Sequence, residues 1–354
     1  IKPFIENLDA TMVIFNDELS GSQIRNLEEV LEVRVIDRTL LILDIFAKRA
    51  TTKEAMLEVE IAQLEYLKPR LSNIQASLNR QQGGIGSRGP GEKKLETDRR
   101  KIDNEIIKLR QDLKHIEHTR DIQRRNRDKS QIKKVAIIGY TNAGKSTLLN
   151  ALVDITSEDE SKKVFVKDML FATLDTATRH IQLSNNKEFI ITDTVGFVSN
   201  LPHHLIESFK STLEEIKDTD LIIHIVDASH IHQKDQIKTT IKTLEDLGVK
   251  DIETIYIYNK QDIKHVDCEP LNSPYLEVSL KDTEDTKLVL DMIEKYLFKD
   301  YETVKLLIPY ADGEIVSYLN QNTNIIEQSY SDTGTYLILE LSPVMLGRYR
   351  EYVV

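Results

Sequence analysis

The chain has 354 residues, 40% hydrophobic and 30% charged, with a formal net charge of −11, which is material for two or three domains with real cores. No apolar run approaches the roughly 18–20 residues that span a bilayer, so membrane association is at most peripheral. A single cysteine, Cys268, excludes an internal disulfide framework and a cysteine-based metal cluster and fits a reducing cytoplasm.

The first elements alternate. TMVIFN (11–16) reads as a buried strand, DELSGS as a capped turn, IRNLEEVL as a helix, VRVID as a strand and LLILDIFAKRA as a helix. Together they predict a small α/β unit over residues 1–50. The chain starts at Ile1 and not at methionine, so native sequence ahead of it is expected and targeting stays open.

From 51 to 80 the pattern is purely helical. Leu57, Ile61, Leu64, Leu67, Leu71, Ile74 and Leu78 recur every three or four residues, and Pro69 is expected to kink the helix. GGIGSRGPGE (83–92) follows, with five glycines in ten positions, and must be a loop. Beyond it Leu95, Ile102, Ile106, Leu109, Leu113 and Ile116 repeat the spacing, predicting a second helix from about 93 to 127, roughly 50 Å long. The two helices would zip into an antiparallel hairpin with the glycine loop at its tip. RRNRDKSQIKK (124–134) reads as a basic linker. The acidic average hides this region: residues 88–134 carry 16 Lys/Arg against 9 Asp/Glu, a local +7 in a chain whose remainder is −18.

Between 134 and 298, KVAIIG, EFIITD, LIIHIVD and TIYIYNK are strands alternating with helices, the signature of an open, mostly parallel α/β sheet. From 299 onward TVKLLIPY (strand), GEIVSYLNQ (helix), IIEQSY and TYLILEL (hairpin) and MLGRYREYVV (helix) make a compact α+β module. The expected division is therefore 1–131, 132–298 and 299–354.

The chemistry sits in the middle segment. GYTNAGKST (139–147) follows a strand and opens a helix, the context a Gly-x-x-x-x-Gly-Lys-Ser phosphate loop requires. Gly139 and Gly144 let backbone N–H groups of the loop, through Tyr140, Thr141, Asn142, Ala143 and Thr147, curl round phosphates at a helix N-terminus. Lys145 reaches the β and γ phosphates and Ser146 offers its hydroxyl to Mg²⁺. In DTVGF (193–197) Asp193 is placed to hold Mg²⁺ through water and the Gly196 amide to meet the γ-phosphate. FATLDTATR (171–179) supplies Thr173 as the switch threonine for Mg²⁺, with Thr176 and Thr178 as competitors. Lys145, Thr173 and Gly196 are thus the candidate catalytic residues.

NKQD (259–262) ends another strand. The Asp262 carboxylate can accept both guanine N1–H and the exocyclic amine, a donor pair that adenine lacks, while Asn259 braces the loop and Lys260 lies along the ring. In SLK (279–281) Ser279, Leu280 and Lys281 place a backbone amide near the guanine carbonyl. Four elements in this order describe a guanine-nucleotide switch that binds GTP and GDP. Phe197 stands where many small GTPases carry a water-orienting glutamine. Either it merely packs the switch loop, or basal hydrolysis is slow and a partner completes the site. Asn142 has two readings: a ligand for a monovalent cation such as K⁺, or a residue that shapes the loop.

GGIGSRGPGEKKLETDRR (83–100), GYTNAGKSTLLNAL, FATLDTATR, DTVGFVSNLPHHLIESFKSTLEE (193–215) and the early DRTLLILDIFAKRA resemble the HflX family of the Obg–HflX group over essentially the whole chain. Ser87, Lys93, Lys94, Thr176 and Ala177 depart from the family's usual GTRGPGETQLETDRR and FATLDPTTR. The resemblance implies a bacterial, cytoplasmic, monomeric GTPase that binds the large ribosomal subunit and splits or rescues stalled or hibernating ribosomes under heat or other stress. In that picture the hairpin tip approaches ribosomal RNA near the peptidyl-transferase region, with no role for DNA. Gly83, Gly84, Gly86, Gly89 and Gly91 would let the backbone approach RNA, and Arg88 would pair with phosphate or stack on a base. Lys93, Lys94, Arg99 and Arg100 form a basic flank, read either as an RNA-contact face or as a solvated helix face with i,i+4 pairs. Two other readings stand beside it: a nucleotide-gated hairpin that docks a protein or membrane partner, and an RNA-remodelling ATPase, for which the N-terminal segment shows no second phosphate loop.

Overall fold

The computed structural model describes residues 1–74, 90–128, 132–156, 177–194, 196–198, 215–263, 270 and 272–354. These fall into two compact units, one holding the described residues up to Asp128 and the other those from Ile132 onward.

In the first unit α1 (Lys2–Leu8) precedes β1 (Met12–Phe15), α2 (Gly21–Leu31), β2 (Arg34–Asp37) and α3 (Arg38–Arg49). β1 and β2 pair in parallel, Val13 opposite Val35, with α2 as the crossover that parallel pairing needs. Ser20 and Gln23 close a capping box at the start of α2, satisfying two otherwise orphaned N–H groups.

Two long helices follow, α4 (Lys53–Ile74) and α5 (Pro90–Asp128). Glu65 pairs with Arg110 at 2.5 Å and Lys68 pairs with Asp103, so partner numbers fall as α4 advances and the helices run antiparallel. Leu57, Ile61 and Leu64 meet Ile102, Ile106, Leu109, Leu113 and Ile116 in the seam. Leu67, expected there, is 43% exposed. The reason is that α4 has two neighbours to satisfy. It also packs on α2 and α3, which buries Ala55, Val59, Ala62 and Tyr66 instead. Leu78, and the side chains of Ile74 and Leu95, lie outside the described residues.

α5 begins at Pro90, three residues before the expected start, so Gly91 belongs to its first turn and not to a loop. Proline at the first helical position needs no N–H partner and arrives with helical φ. The helix also takes in residues 124–128 of the expected linker, since arginine-rich sequence carries good helix propensity and charge alone does not end a helix. Its 39 residues span about 58 Å.

A buried arginine ties α4 to the α/β unit. Arg70 donates to the Tyr66 and Leu19 carbonyls at 2.9 and 2.7 Å and pairs with Asp37, itself fully buried, at 3.3 Å. Asp37 also accepts from Leu19 N and caps α3 through Leu40 N. A buried charge is tolerable where so many bonds compensate its lost hydration.

The second unit holds a six-stranded sheet in the order β4-β5-β3-β6-β7-β8. Its strands are β3 (Lys133–Gly139), β4 (Ala177–Gln182), β5 (Glu188–Asp193), β6 (Leu221–Asp227), β7 (Glu253–Asn259) and β8 (Tyr275–Glu277). All neighbours are parallel except β4, which runs antiparallel to β5. Helices α6 (Lys145–Thr156), α7 (Gln233–Asp246) and α8 (Thr283–Leu297) belong to the same unit. β3 and β6 are buried on both faces, which is why they read as continuous apolar runs without alternation. Parallel strands bring their C-terminal ends to one edge, so Gly139, Asp193, Asp227 and Asn259 gather there.

β4 begins inside the segment expected to be a switch loop. Thr178 lies on this strand with its hydroxyl 3.2 Å from that of Thr192, and is therefore committed to the sheet and no longer a competitor for the switch position. Thr173 and Thr176 lie outside the described residues.

After α8 come β9 (Glu302–Pro309), α9 (Gly313–Asn322), β10 (Asn324–Tyr330), β11 (Gly334–Leu341) and α10 (Pro343–Arg348). They form an antiparallel sheet ordered β10-β11-β9 over a core of Leu306, Ile308, Leu319, Leu337, Leu339 and Leu341. The final helix was expected to run to Val354. It stops at Arg348, and Val353 instead bridges Leu306 while Val354 N–H donates to Lys305 O at 3.0 Å. The aromatic and β-branched YVV ending suits the edge of β9 better than a helix.

The turn between β4 and β5 is held by this C-terminal module. Asn186, at φ 60°, donates to Thr323 O at 3.1 Å. Lys187, whose side chain is 9% exposed, pairs with Glu294 of α8 at 2.9 Å and Glu340 of β11 at 2.8 Å. Burial by itself would lower the Lys187 pKa, but hydrogen bonds to Glu340 and Glu294 outweigh it and raise the group above 10.5. Hydrogen bonds from Asn324 and Lys187 hold Glu340 below 4.5. The depressed carboxylate stabilises above its ordinary value and fades as pH falls through its folded value. The raised ammonium stabilises below 10.5 and fades as pH rises through its folded value. Lys187→Met should therefore cost about 2 kcal/mol in the plateau between those limits and little beyond either. Denaturant unfolding of both proteins across pH measures this; a difference independent of pH would contradict the ion-pair assignment.

Candidate functional site

The phosphate loop is shaped by backbone conformations that its sequence selects. Gly139 has φ 150° and a Cβ there would stand 2.3 Å from Ile225 O. Gly144 has φ 111° and its Cβ would stand 2.2 Å from Asn259 Nδ2. Neither position accepts a side chain without displacing backbone or the base loop. Asn142 is exposed at φ 63°, a left-handed conformation that asparagine tolerates, which is a direct cause for the loop-shaping reading. α6 opens at Lys145, so Lys145, Ser146 and Thr147 lie in its first turn, where N–H groups lack helical partners.

Lys145 is buried. Its ammonium donates to Tyr140 O at 3.0 Å and Gly139 O at 3.2 Å, which points it along the inside of the loop. Burial pushes its pKa down to about 8, opposed by the nearby Asp193 carboxylate. Ser146 Oγ donates to Asp193 Oδ2 at 2.5 Å, so the two expected metal ligands, from α6 and β5, converge.

The DTVGF segment closes against the loop. Thr194 Oγ donates to Ile137 O at 2.7 Å. Phe197 N–H donates to Gly139 O and Phe197 O accepts from Thr141 N–H, at 3.1 and 2.9 Å. The Phe197 side chain is 2% exposed, in accord with a packing role. A Cβ on Gly196 would sit 2.8 Å from Thr141 Cγ2 and 3.0 Å from Lys145 Nζ, so only glycine brings this backbone so close to the lysine.

The base loops meet the phosphate loop through one residue. Asn259 Nδ2 donates to Ala143 O at 2.9 Å, and its Oδ1 accepts from Leu280 N–H at 3.1 Å. Asp262 accepts from Ser279 Oγ at 3.0 Å and Lys281 Nζ at 2.8 Å. The Lys281 ammonium holds its carboxyl below the ordinary range, so it is ionised. The Ser279 and Lys281 side chains thus fix the Asp262 carboxylate, a role that spacing did not reveal. Sequence reasoning also missed Asp227, which ends β6 and pairs with Lys260 at 2.7 Å. The available signal was an acidic residue closing a strand, as Asp193 does in EFIITD.

Residues 139–147, 193, 196, 259–262 and 279–281 are therefore brought together. The tip residues Gly83, Gly84, Gly86, Arg88 and Gly89 lie outside the described residues, as do the side chains of Lys93 and Lys94. Arg99 and Arg100 are exposed on α5. Arg100 pairs with Glu96 at 2.7 Å and Lys101 with Asp98 at 3.7 Å, local pairs of the kind a solvated helix face makes. Among the described residues no helix is long and apolar enough to cross a membrane, and no group of three or more His, Cys, Asp or Glu is arranged to hold a metal.

Residues 134–260 match the family model described as 50S ribosome-binding GTPase, residues 49–127 the GTP-binding GTPase middle region, and residues 1–47 the GTP-binding GTPase N-terminal region. Over its full length the chain is 46% identical to GTPase HflX of Caldanaerobacter subterraneus subsp. tengcongensis, spanning 81% of that protein. It is 44% identical to GTPase HflX of Escherichia coli K12 over 74% of the chain and 59% of that protein. Among solved structures it is similar to a GTP-binding protein of Sulfolobus solfataricus in complex with GDP, at a TM-score of 0.45 and 22% identity over 84% of each chain.

Proposed function

The chain belongs to the HflX family of GTPases, and from that premise we propose that it acts on the large ribosomal subunit, its GTP state gating affinity for ribosomes that it splits or rescues under stress. It has the P-loop GTPase fold, binds GTP and GDP, and hydrolyses GTP. The observation that carries the ribosomal reading is the pair α4–α5, an antiparallel hairpin whose second helix alone is about 58 Å long. A hairpin of that reach, with Arg99 and Arg100 exposed and a glycine-rich tip sequence, suits a probe for a deep RNA surface. The family model's description as a 50S ribosome-binding GTPase supports the same partner. The cytoplasm is the compartment this partner implies.

The nucleotide site works by placement. Amides at the start of α6 and the Lys145 ammonium receive the phosphates, while Asp262 reads the base. Ser146 and Asp193, a hydroxyl and a carboxylate 2.5 Å apart, are hard oxygen donors that would hold Mg²⁺; Thr173, expected to join them, lies outside the described residues. Mg²⁺ held by these residues would supply positive charge to offset that of the phosphates. Phe197 cannot orient water, so the isolated chain turns over slowly and the ribosome completes the site.

Co-sedimentation with purified large subunits tests the proposal. Binding should be stronger with a non-hydrolysable GTP analogue than with GDP, should weaken steeply with salt, and should be lost on deleting residues 83–92. Charge reversal at Arg99 and Arg100 in the otherwise intact chain should also weaken it. Binding indifferent to nucleotide and to the deletion would overturn the ribosomal reading and favour a protein or membrane partner for the hairpin.

A further inference from the structure

We propose that Asp227 is a positioning residue for nucleotide recognition, holding the Lys260 side chain so that its aliphatic stem, not its charge, serves the base. The proposal rests on the base-site reading of residues 259–262.

β6 and β7 are parallel neighbours, and Asp227 and Asn259, each the last residue of its strand, stand opposite one another. Ala228 N–H donates to Asn259 O at 2.9 Å, which locks the two strand ends together just beyond the sheet. Lys260 is the first residue past β7, at φ 68°. A lysine gains nothing intrinsic from that left-handed conformation, so its surroundings must maintain it.

The Asp227 carboxylate is used at both ends. Oδ1 accepts from Ser229 N–H at 3.0 Å and Ser229 Oγ at 2.6 Å. Oδ2 accepts from Lys260 Nζ at 2.7 Å. Both partners of the ion pair are largely sheltered, at 14% and 21% side-chain exposure. Ser229 stops the carboxylate from rotating, and the fixed carboxylate anchors the far end of a four-carbon stem. The residues of the base loop are thereby held from different directions: Asn259 by the phosphate loop and Leu280, Lys260 by Asp227, and Asp262 by Ser279 and Lys281.

Two consequences follow from charge and entropy. An ammonium paired at 2.7 Å with a carboxylate exerts little net pull on phosphate, so the contribution of Lys260 concerns the base that GTP and GDP share. A stem already ordered loses no rotamer freedom when nucleotide binds. Releasing it should weaken both nucleotides by the same factor.

The test uses the full chain with Asp227→Asn, Lys260→Met and the double variant. Calorimetric Kd values are measured for GTP and GDP, together with steady-state turnover. Asp227→Asn should raise both Kd values about five- to tenfold, the scale of turning one charge-assisted hydrogen bond into a neutral one. KM should rise in step while kcat moves far less. The double variant should bind no more weakly than Lys260→Met alone, because both changes release the same stem from its one anchor. Ser229→Ala, which loosens the carboxylate without removing it, should shift both Kd values in the same direction by a smaller factor and serves if the asparagine variant does not fold. Independent, multiplying effects, or a loss confined to GTP, would overturn the role of Asp227. So would a weakened Lys260→Met beside an unaffected Asp227→Asn, with the base site still standing. If Lys260→Met changes nothing, anchoring of the stem has no role and the proposal falls; if Lys260→Ala, which removes the stem itself, also changes nothing, the base-site reading of Lys260 falls with it.

Discussion

Lys145→Met should lower GTP turnover by on the order of 10²–10³-fold, the scale of removing one preorganised donor from a site where charge develops. It should also weaken GDP binding, while the nucleotide-free protein melts no lower than before. The last part separates a functional loss from a folding defect. Lys145 is a buried ammonium whose pKa burial pushes down to about 8, so its surroundings disfavour the charged form relative to water. Two carbonyls, Gly139 O and Tyr140 O, and the Asp193 carboxylate compensate only in part. Methionine keeps most of the stem and removes the charge. Nucleotide binding, turnover and thermal melting of the same preparation decide it. Full turnover would show that the phosphates are held elsewhere, and a large drop in melting temperature would make Lys145 a structural residue.

Asp262→Asn should exchange the base. In the proposed base site the carboxylate would accept from both guanine N1–H and the exocyclic amine. An asparagine amide offers one acceptor and presents its NH₂ to the guanine amine, donor against donor. Xanthine carries a carbonyl in place of that amine and so matches asparagine. GTP affinity should fall by roughly 10²–10³, the effect of unpairing charge-assisted bonds in a site built for them, and XTP should become the better ligand. Ser279 and Lys281 sharpen the expectation. They already hold the carboxylate at 3.0 and 2.8 Å, so the variant also takes a carboxylate away from the Lys281 ammonium. Lys281→Met alone should act more mildly, since it leaves Asp262 able to accept both donors. Unchanged GTP affinity in the asparagine variant would refute the assignment.

Much of this was legible in the residue order. GYTNAGKST after KVAIIG foretold the strand, loop and helix, because the glycines and lysine have uses at that spacing that ordinary turns do not share. Spacing along α4 and α5 foretold the hairpin, and the 65–110 and 68–103 ion pairs are its antiparallel register. What could not be read depends on neighbours remote in sequence. Leu67 fits the seam by period, yet α2 and α3 claim another face of α4 and leave it in solvent. ATRHIQ carries no strong strand signal, and becomes β4 because β5 offers an open edge.

The sequence by itself therefore determined the nucleotide chemistry and its order along the chain, since glycines at left-handed positions, a lysine at a helix start and a strand-ending aspartate are local requirements. Only the tertiary structure decided who holds those groups in place. Asn259 reaches Ala143, Asp227 reaches Lys260, Lys281 reaches Asp262, and Lys187 joins the β4–β5 turn to Glu340. Those partners lie between 19 and 153 residues apart, and no period or motif encodes a contact that exists only once parallel strands have brought their ends to one edge.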